Sequence, residues 1–252
     1  MSAITLPRTT FPIYEHKVRS KLDDLISRVF SAPFAKVFSS PIASPGAAAI
    51  PWYLSGGIAA ANCIAAYQAK GAASLAASYI NLAKPGTYDC HAISVPTTPT
   101  WTSGLGWSGI GKVLDTDIVF GTGIATYSVF VRFSSVSTGC LFGTEDGYPN
   151  SFWIAPCTYA LPLYSNIAYG SHSVINGGTH SISAKKGYQN GIYDAAVSAG
   201  QTTTALNFYL LCLNQGGTPV QGKNGDTQCV SIYNRELTAA ENLALHNAAM
   251  AL

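Results

Sequence analysis

Few residues of this 252-residue chain could do chemistry, since only 12 are acidic and five are histidine. Cleavage of a glycosidic bond needs two carboxyl groups about 5–10 Å apart. On a strand such a pair stands two or four residues apart, so that both face the same way. Asp115 and Asp117 alone have that spacing. They precede an apolar strand and read as turn residues, sharing a face only where their segment is extended. Glu145 and Asp146 are adjacent, so on a strand they would face opposite ways. Gly143 and Gly147 place them in a loop, where water keeps both ionised. His91, His172, His180 and His246 are scattered without partners, and no Gly-x-Ser-x-Gly elbow is present. No closely paired Cys or His ligands suit zinc. These residues predict no catalytic constellation and no enzyme. Changing each acid to its amide is expected to leave any activity nearly unchanged.

The aromatic residues offer a different chemistry. A sugar site sets an exposed Trp or Tyr face against the apolar face of a pyranose, with Asn and Asp fixing the hydroxyls. Trp101, Trp107, Tyr148, Tyr164, Tyr169 and Tyr188 lie among Gly, Ser and Asn. These six are the candidate ligand-binding residues, although each alone also reads as packing. Trp153 sits in a strand and reads as core.

From residue 50 onward the chain reads as short strands separated by Gly-rich turns. Cys63–Gln68 is a plausible first strand, followed by a helical turn around Ala72–Ala77. Thr126–Phe133 alternates, with Tyr127, Val129 and Val131 on one face. Cys140–Phe142, Phe152–Ala155, Ser181–Ser183, Asn207–Leu213 and Cys229–Tyr233 continue the series. Regular strands with such turns predict an all-β sandwich or barrel. Leu237 then leads into a C-terminal helix with Thr238 as N-cap and Glu241 at the capping-box position.

Residues 1–46 differ. They hold six basic against three acidic residues, a balance of +3, whereas the rest of the chain is −1. Val18, Leu22, Leu25, Ile26, Val29 and Phe30 follow one helical face, and Pro33 ends that helix. One amphipathic helix cannot bury its stripe alone. It either folds back on the sandwich or docks on a partner or on copies of itself, and Val18, Leu22, Leu25, Ile26 and Val29 are the expected docking face. Pro41–Gly46 reads as the linker, so the expected division is an arm of 1–46 and a sandwich of 47–252.

Composition narrows the partners. Hydrophobic residues are 48% of the chain and charged residues 10%, so a large core can be buried beneath a polar, neutral surface. A net charge of +2 does not suit nucleic acid. No apolar run approaches the roughly 18–20 residues of a membrane span. The first residues, Met1–Pro7, lack the basic and apolar regions of an export signal. The six cysteines are widely spaced without a CxxC, which predicts mostly buried thiols.

Several stretches resemble the laminin-G-like, concanavalin A-like domains of phage virion proteins. Ile232-Tyr-Asn-Arg-Glu-Leu-Thr-Ala-Ala-Glu241 is similar to that family's last strand running into its short helix. Ala65–Ser74, Asn81–Gly86 and Pro99–Trp101 resemble its opening, and Gly187-Tyr-Gln-Asn-Gly191 its middle hairpin. The resemblance covers roughly residue 60 to the end. It implies an antiparallel jelly-roll sandwich, here with an N-terminal helical arm and a short C-terminal helix. It raises calcium at the sandwich rim, for which Glu145, Asp146 and Asn150 offer oxygens. Calcium takes six to eight, so the expectation is no metal and no cofactor. Together these features lead to the expectation of a structural protein on the exterior of a phage particle, a head decoration or fibre subunit. Its arm would bind other virion proteins and its copies would form a homo-oligomer. The alternative is a glycan-binding adhesion module of a tail fibre or receptor-binding protein, facing host-surface glycans.

Overall fold

The computed structural model describes residues 49–93, 98–108, 111–119, 127–147, 151–158, 161–165, 170–171, 177–197, 205–220, 222 and 224–252. The chain divides at 49/50, and almost all described residues lie in the second unit, Ile50–Leu252. The docking face expected at Val18, Leu22, Leu25, Ile26 and Val29 lies outside them.

The strands are β1 Cys63–Gln68, β2 His91–Ala92, β3 Thr100–Thr102, β4 Gly106–Ser108, β5 Leu114–Val119 and β6 Ser128–Thr138. There follow β7 Phe142–Glu145, β8 Ser151–Thr158, β9 Leu161–Ser165, β10 Gly170–Ser171, β11 Gly178–Ser183 and β12 Lys186–Gln189. The last are β13 Ile192–Ala196, β14 Asn207–Leu210, β15 Leu213–Gln215, β16 Thr218–Val220 and β17 Asn224–Tyr233. Helices α1 (Leu75–Ser78) and α2 (Ala239–Met250) complete the described elements, apart from two 3-10 turns.

An eight-stranded sheet runs β13-β12-β11-β6-β17-β4-β3, with β1 also on β17. A nine-stranded sheet runs β10-β9-β8-β7-β14-β5-β2, with β15 bridging β7 and β16. Pairing is antiparallel throughout these strands except between β7 and β15. The sandwich foreseen from the strand pattern is therefore the fold.

Strand periodicity explains how its layers are filled. On β6, Val129, Val131 and Phe133 enter the core between the sheets, beside Leu114, Phe142, Phe152 and Phe208 of the other sheet. The intervening Phe130 faces a second core with Trp52, Cys63, Cys229, Tyr233, Leu237, Leu245 and Ala249, which seats α2. In the first core the Phe142 and Phe208 rings stand 5.1 Å apart and tilted; such pairs add about 0.5–1.5 kcal/mol beyond burial. The five cysteines with described side chains are free and buried, as expected.

Two strand readings need correction. Asn207–Leu213 is not one strand. Leu211 has φ +70, and the chain breaks there into β14 and β15, which joins β7 in parallel. Gly143 is no loop residue either. It lies within β7 opposite Trp153, whose Cβ would fall 2.1 Å from any Cβ placed on Gly143. The strand needs glycine there because the neighbouring side chain occupies that space. The expected hairpin at 187–191 is present, turning at Asn190 and Gly191, both at positive φ as a two-residue turn requires. The capping box of α2 is also present: Glu241 N–H donates to Thr238 Oγ1 and Thr238 N–H donates to the Glu241 carboxylate.

Candidate functional site

Along β5 the sequence Leu-Asp-Thr-Asp-Ile-Val meets β14 with an irregular register. Tyr209 pairs with Asp115 and Asn207 with Val119, so the stretch Thr116–Ile118 faces the single residue Phe208. Such bulges re-aim side chains and recur beside functional sites. Thr116 ties the bulge down from within: its buried hydroxyl donates to the Phe208 carbonyl at 2.7 Å and accepts from Ile118 N–H at 3.2 Å. Asp117 takes φ +55, a conformation that short polar side chains tolerate better than most. Its N–H donates to Asp115 Oδ1 at 2.8 Å.

The bulge gathers residues from three strands. Asn207, at the head of β14, donates from Nδ2 to Asp115 Oδ2 at 3.0 Å and to Asp117 Oδ1 at 3.5 Å. Its own carbonyl accepts from Asn214 Nδ2 at 2.8 Å, which fixes the strand end. His91 of the edge strand β2 pairs with Asp115, and its Nδ1 lies 3.6 Å from Asp117 Oδ2. Asp115 is 6% exposed, whereas the Asp117 and His91 side chains are 56% and 52% exposed. One carboxylate is thus an internal anchor and the other faces water.

The loop preceding β2 is held as firmly. Asp89 Oδ1 accepts from Asn81 N–H at 2.8 Å, and Gly86 N–H reaches both oxygens at 3.2 Å. The Tyr67 hydroxyl donates to the Tyr88 carbonyl at 2.5 Å. Tyr88 itself is 41% exposed with φ 60, three residues before His91. Burial pushes the Tyr67 hydroxyl pKa upward, and the neighbouring Cys90 and the carboxylates Asp89, Asp117 and Asp115 push it further. Tyr209 is raised by burial and then by Asp115; Cys212 is pushed up to about 12 by the same two causes.

Of the six sequence-predicted aromatics, the three whose side chains are described, Trp101, Trp107 and Tyr188, do not join this rim. Trp107 is wholly buried, donating from Nε1 to Ser78 Oγ at 2.7 Å, and Tyr188 is buried edge-on to Tyr193. Neither offers a free face, because each ring fills the sandwich or its edge. Trp101 is half-buried, with its indole N–H on the Ala69 carbonyl at 2.8 Å. Tyr148 and Tyr169 lie outside the described residues, as does the side chain of Tyr164. Of the oxygens considered for calcium, Glu145 accepts from Gln215 Nε2 at 3.1 Å, and Asn150 lies outside the described residues. Among the described residues, His91, Asp115 and Asp117 converge, with one ligand atom each within 4.8 Å of the others. They are what a divalent cation would meet at the rim.

Sequence reasoning took Asp115 and Asp117 for turn residues and His91 for an isolated histidine. The i, i+2 acid spacing was the available signal. His91 and Asn207 were hidden because sheet pairing, not sequence proximity, brings them in.

No protein-family model matches the chain, and no curated protein matches it. Solved structures do resemble it. Trypanosoma rangeli sialidase in complex with the inhibitor DANA matches with a TM-score of 0.50 and 14% identity, over 94% of this chain and 39% of that one. The same enzyme in complex with sialic acid gives 0.50 and 13%, over 74% and 33%. Domain 4 of AbnA, an arabinanase from Geobacillus stearothermophilus, in complex with arabinotriose, gives 0.47 and 17%, over 73% and 98%. The chain thus spans roughly a third of the length of the sialidase chains it matches. At these identities the likeness shows the fold, a concanavalin-like sandwich. The sequence-based exclusion of catalysis is corrected here. The sandwich also occurs within chains that are enzymes, and the one acid pair of suitable spacing, read as a turn, is held together in a strand.

Proposed function

We propose that residues 50–252 are a glycan-binding sandwich whose recognition group is His91, Asp115, Asp117 and Asn207, with the exposed Tyr88 three residues before His91. The observation that carries this reading is the β5 bulge. It anchors one carboxylate inside the sheet and presents a second, with an imidazole, to solvent. Carboxylate, amide and imidazole groups placed within hydrogen-bond reach are the polar complement of vicinal hydroxyls, and an exposed aromatic supplies apolar contact. Sandwiches of this fold occur in a solved structure with a bound saccharide, which fits the binding of a sugar and says nothing of which one.

The setting is part of the proposal: the exterior of a phage particle, with the arm 1–46 engaging other virion proteins. Its support is the family resemblance and the low charge. Glycan-array screening of the full chain tests the binding. Saccharide binding that weakens in His91→Ala and Asp117→Asn is expected, and no binding to any saccharide would overturn the reading.

A further inference from the structure

We infer that this rim selects saccharides by charge, accepting neutral and amine-bearing sugars and rejecting those that carry a carboxylate. The inference rests on the glycan-binding reading and adds the class of ligand.

The argument begins with hydrogen-bond capacity. Asn207 Nδ2 donates to Asp115 Oδ2 at 3.0 Å and to Asp117 Oδ1 at 3.5 Å, which takes up its two hydrogens. Asp117 N–H is likewise engaged, on Asp115 Oδ1. The side-chain amide and the bulge N–H of the site are therefore engaged on its own carboxylates. What faces solvent is the Asp117 carboxylate, which can only accept, and the His91 ring. A ligand hydroxyl or ammonium donates and complements an acceptor. A ligand carboxylate brings further acceptors and finds one imidazole.

Charge points the same way. Carboxylate and phosphate ligands are held by Arg or Lys donors, Arg above all through paired N–H bonds. Among the described residues, the ion pair that Asp115 or Asp117 makes is with His91. After burial and Cys90, three carboxylates, Asp89, Asp117 and Asp115, act together on the Tyr67 hydroxyl beneath the loop. The same negative field reaches Tyr209 and Cys212 through Asp115. An anionic sugar would enter against it, at a cost that grows as water is excluded. An ammonium group would be drawn in.

The test titrates the full chain with three oligosaccharides of similar length: glucosamine oligomers with their amines protonated, the N-acetylated equivalents, and a sialylated lactose. Isothermal calorimetry at low salt reads the affinities. The glucosamine oligomer should bind at least about tenfold more tightly than the sialylated sugar, and the gap should narrow as salt screens the exposed carboxylate. Asp117→Asn should bring the amine-bearing and N-acetylated affinities together. Binding of the sialylated sugar as tight as that of the amine would overturn the charge inference while leaving the glycan reading intact. If none of the three binds, while the chain is folded by circular dichroism, the charge inference fails, and the glycan array decides the reading it rests on.

Discussion

Two places in this sandwich use the same kinds of side chain to opposite ends. Under α2, on the outer face of the eight-stranded sheet, His246 Nδ1 lies 3.0 Å from Thr179 Oγ1. Nearby, Ser181 Oγ donates to Asn242 Oδ1 at 2.6 Å, and Arg132 donates to the Ala249 carbonyl. At the rim of the nine-stranded sheet, His91, Asn207, Thr116 and the two aspartates make a comparable network. The helix seat is closed: Asn242, Ser181 and Arg132 are buried, and their bonds end on the protein itself. The rim is half open, because β2 is an edge strand and the bulge turns Asp117 outward. Histidine and asparagine do not mark function by themselves. What separates the regions is whether the network ends inside the fold or in water.

That contrast can be broken first at the helix seat. Leu245→Ala removes a wholly buried side chain between α2 and the sheet and should cost about 2–5 kcal/mol in urea unfolding. The folded fraction should keep its saccharide affinity, since the rim lies on the other sheet. A parallel loss of affinity would show that the two regions are coupled. Asn242→Ala leaves the Ser181 hydroxyl without its acceptor and should cost about 1–3 kcal/mol by the same measurement.

Acid provides a third, smaller test. Burial, and then the charge of Arg132, lowers the pKa of His246 from 6.5, so folding favours the neutral ring. The stability this contributes is fully present above 6.5 and is lost as pH falls through the lowered folded value. Unfolding at pH 7.5 and 5 should show that loss, and His246→Gln should flatten it. Glu241 titrates in a separate window. Hydrogen bonding to Arg235 pulls it from 4.5 to about 2, so its contribution persists above 4.5 and disappears as pH falls towards 2. A pH dependence unchanged by His246→Gln would remove the ring from the account of the helix seat. The smallest expected effect on stability is at the rim, where Asp117→Asn should stay within about 0.5 kcal/mol of the parent.

The sandwich was legible because strand alternation and glycine turns are local signals. Val129 and Val131 point inward as their spacing requires, and Thr238 and Glu241 cap α2 as their order requires. The breaks were less legible. Nothing in Phe208-Tyr-Leu-Leu-Cys-Leu213 announces that Leu211 turns to positive φ, since the change serves pairing with a distant strand. The site was legible only as a spacing. Asp115 and Asp117 stood two apart, but whether that meant a turn or a shared face depended on Thr116 reaching Phe208, 92 residues on. Trp107 misled for a related reason. Glycine and serine around Trp107 suggested exposure, whereas Gly106 lets the backbone of β17 pass close beside it and Trp107 is wholly buried.

The central claim is that the bulged rim is where saccharide binds. Backbone amide chemical shifts of the full chain, followed during titration with a saccharide that binds, test it most directly. The account predicts the largest changes at Tyr88, His91, Asp115–Ile118 and Asn207, and their disappearance in Asp117→Asn although the spectrum remains that of a folded sandwich. Saccharide-induced changes centred elsewhere, and unaltered by Asp117→Asn, would contradict it.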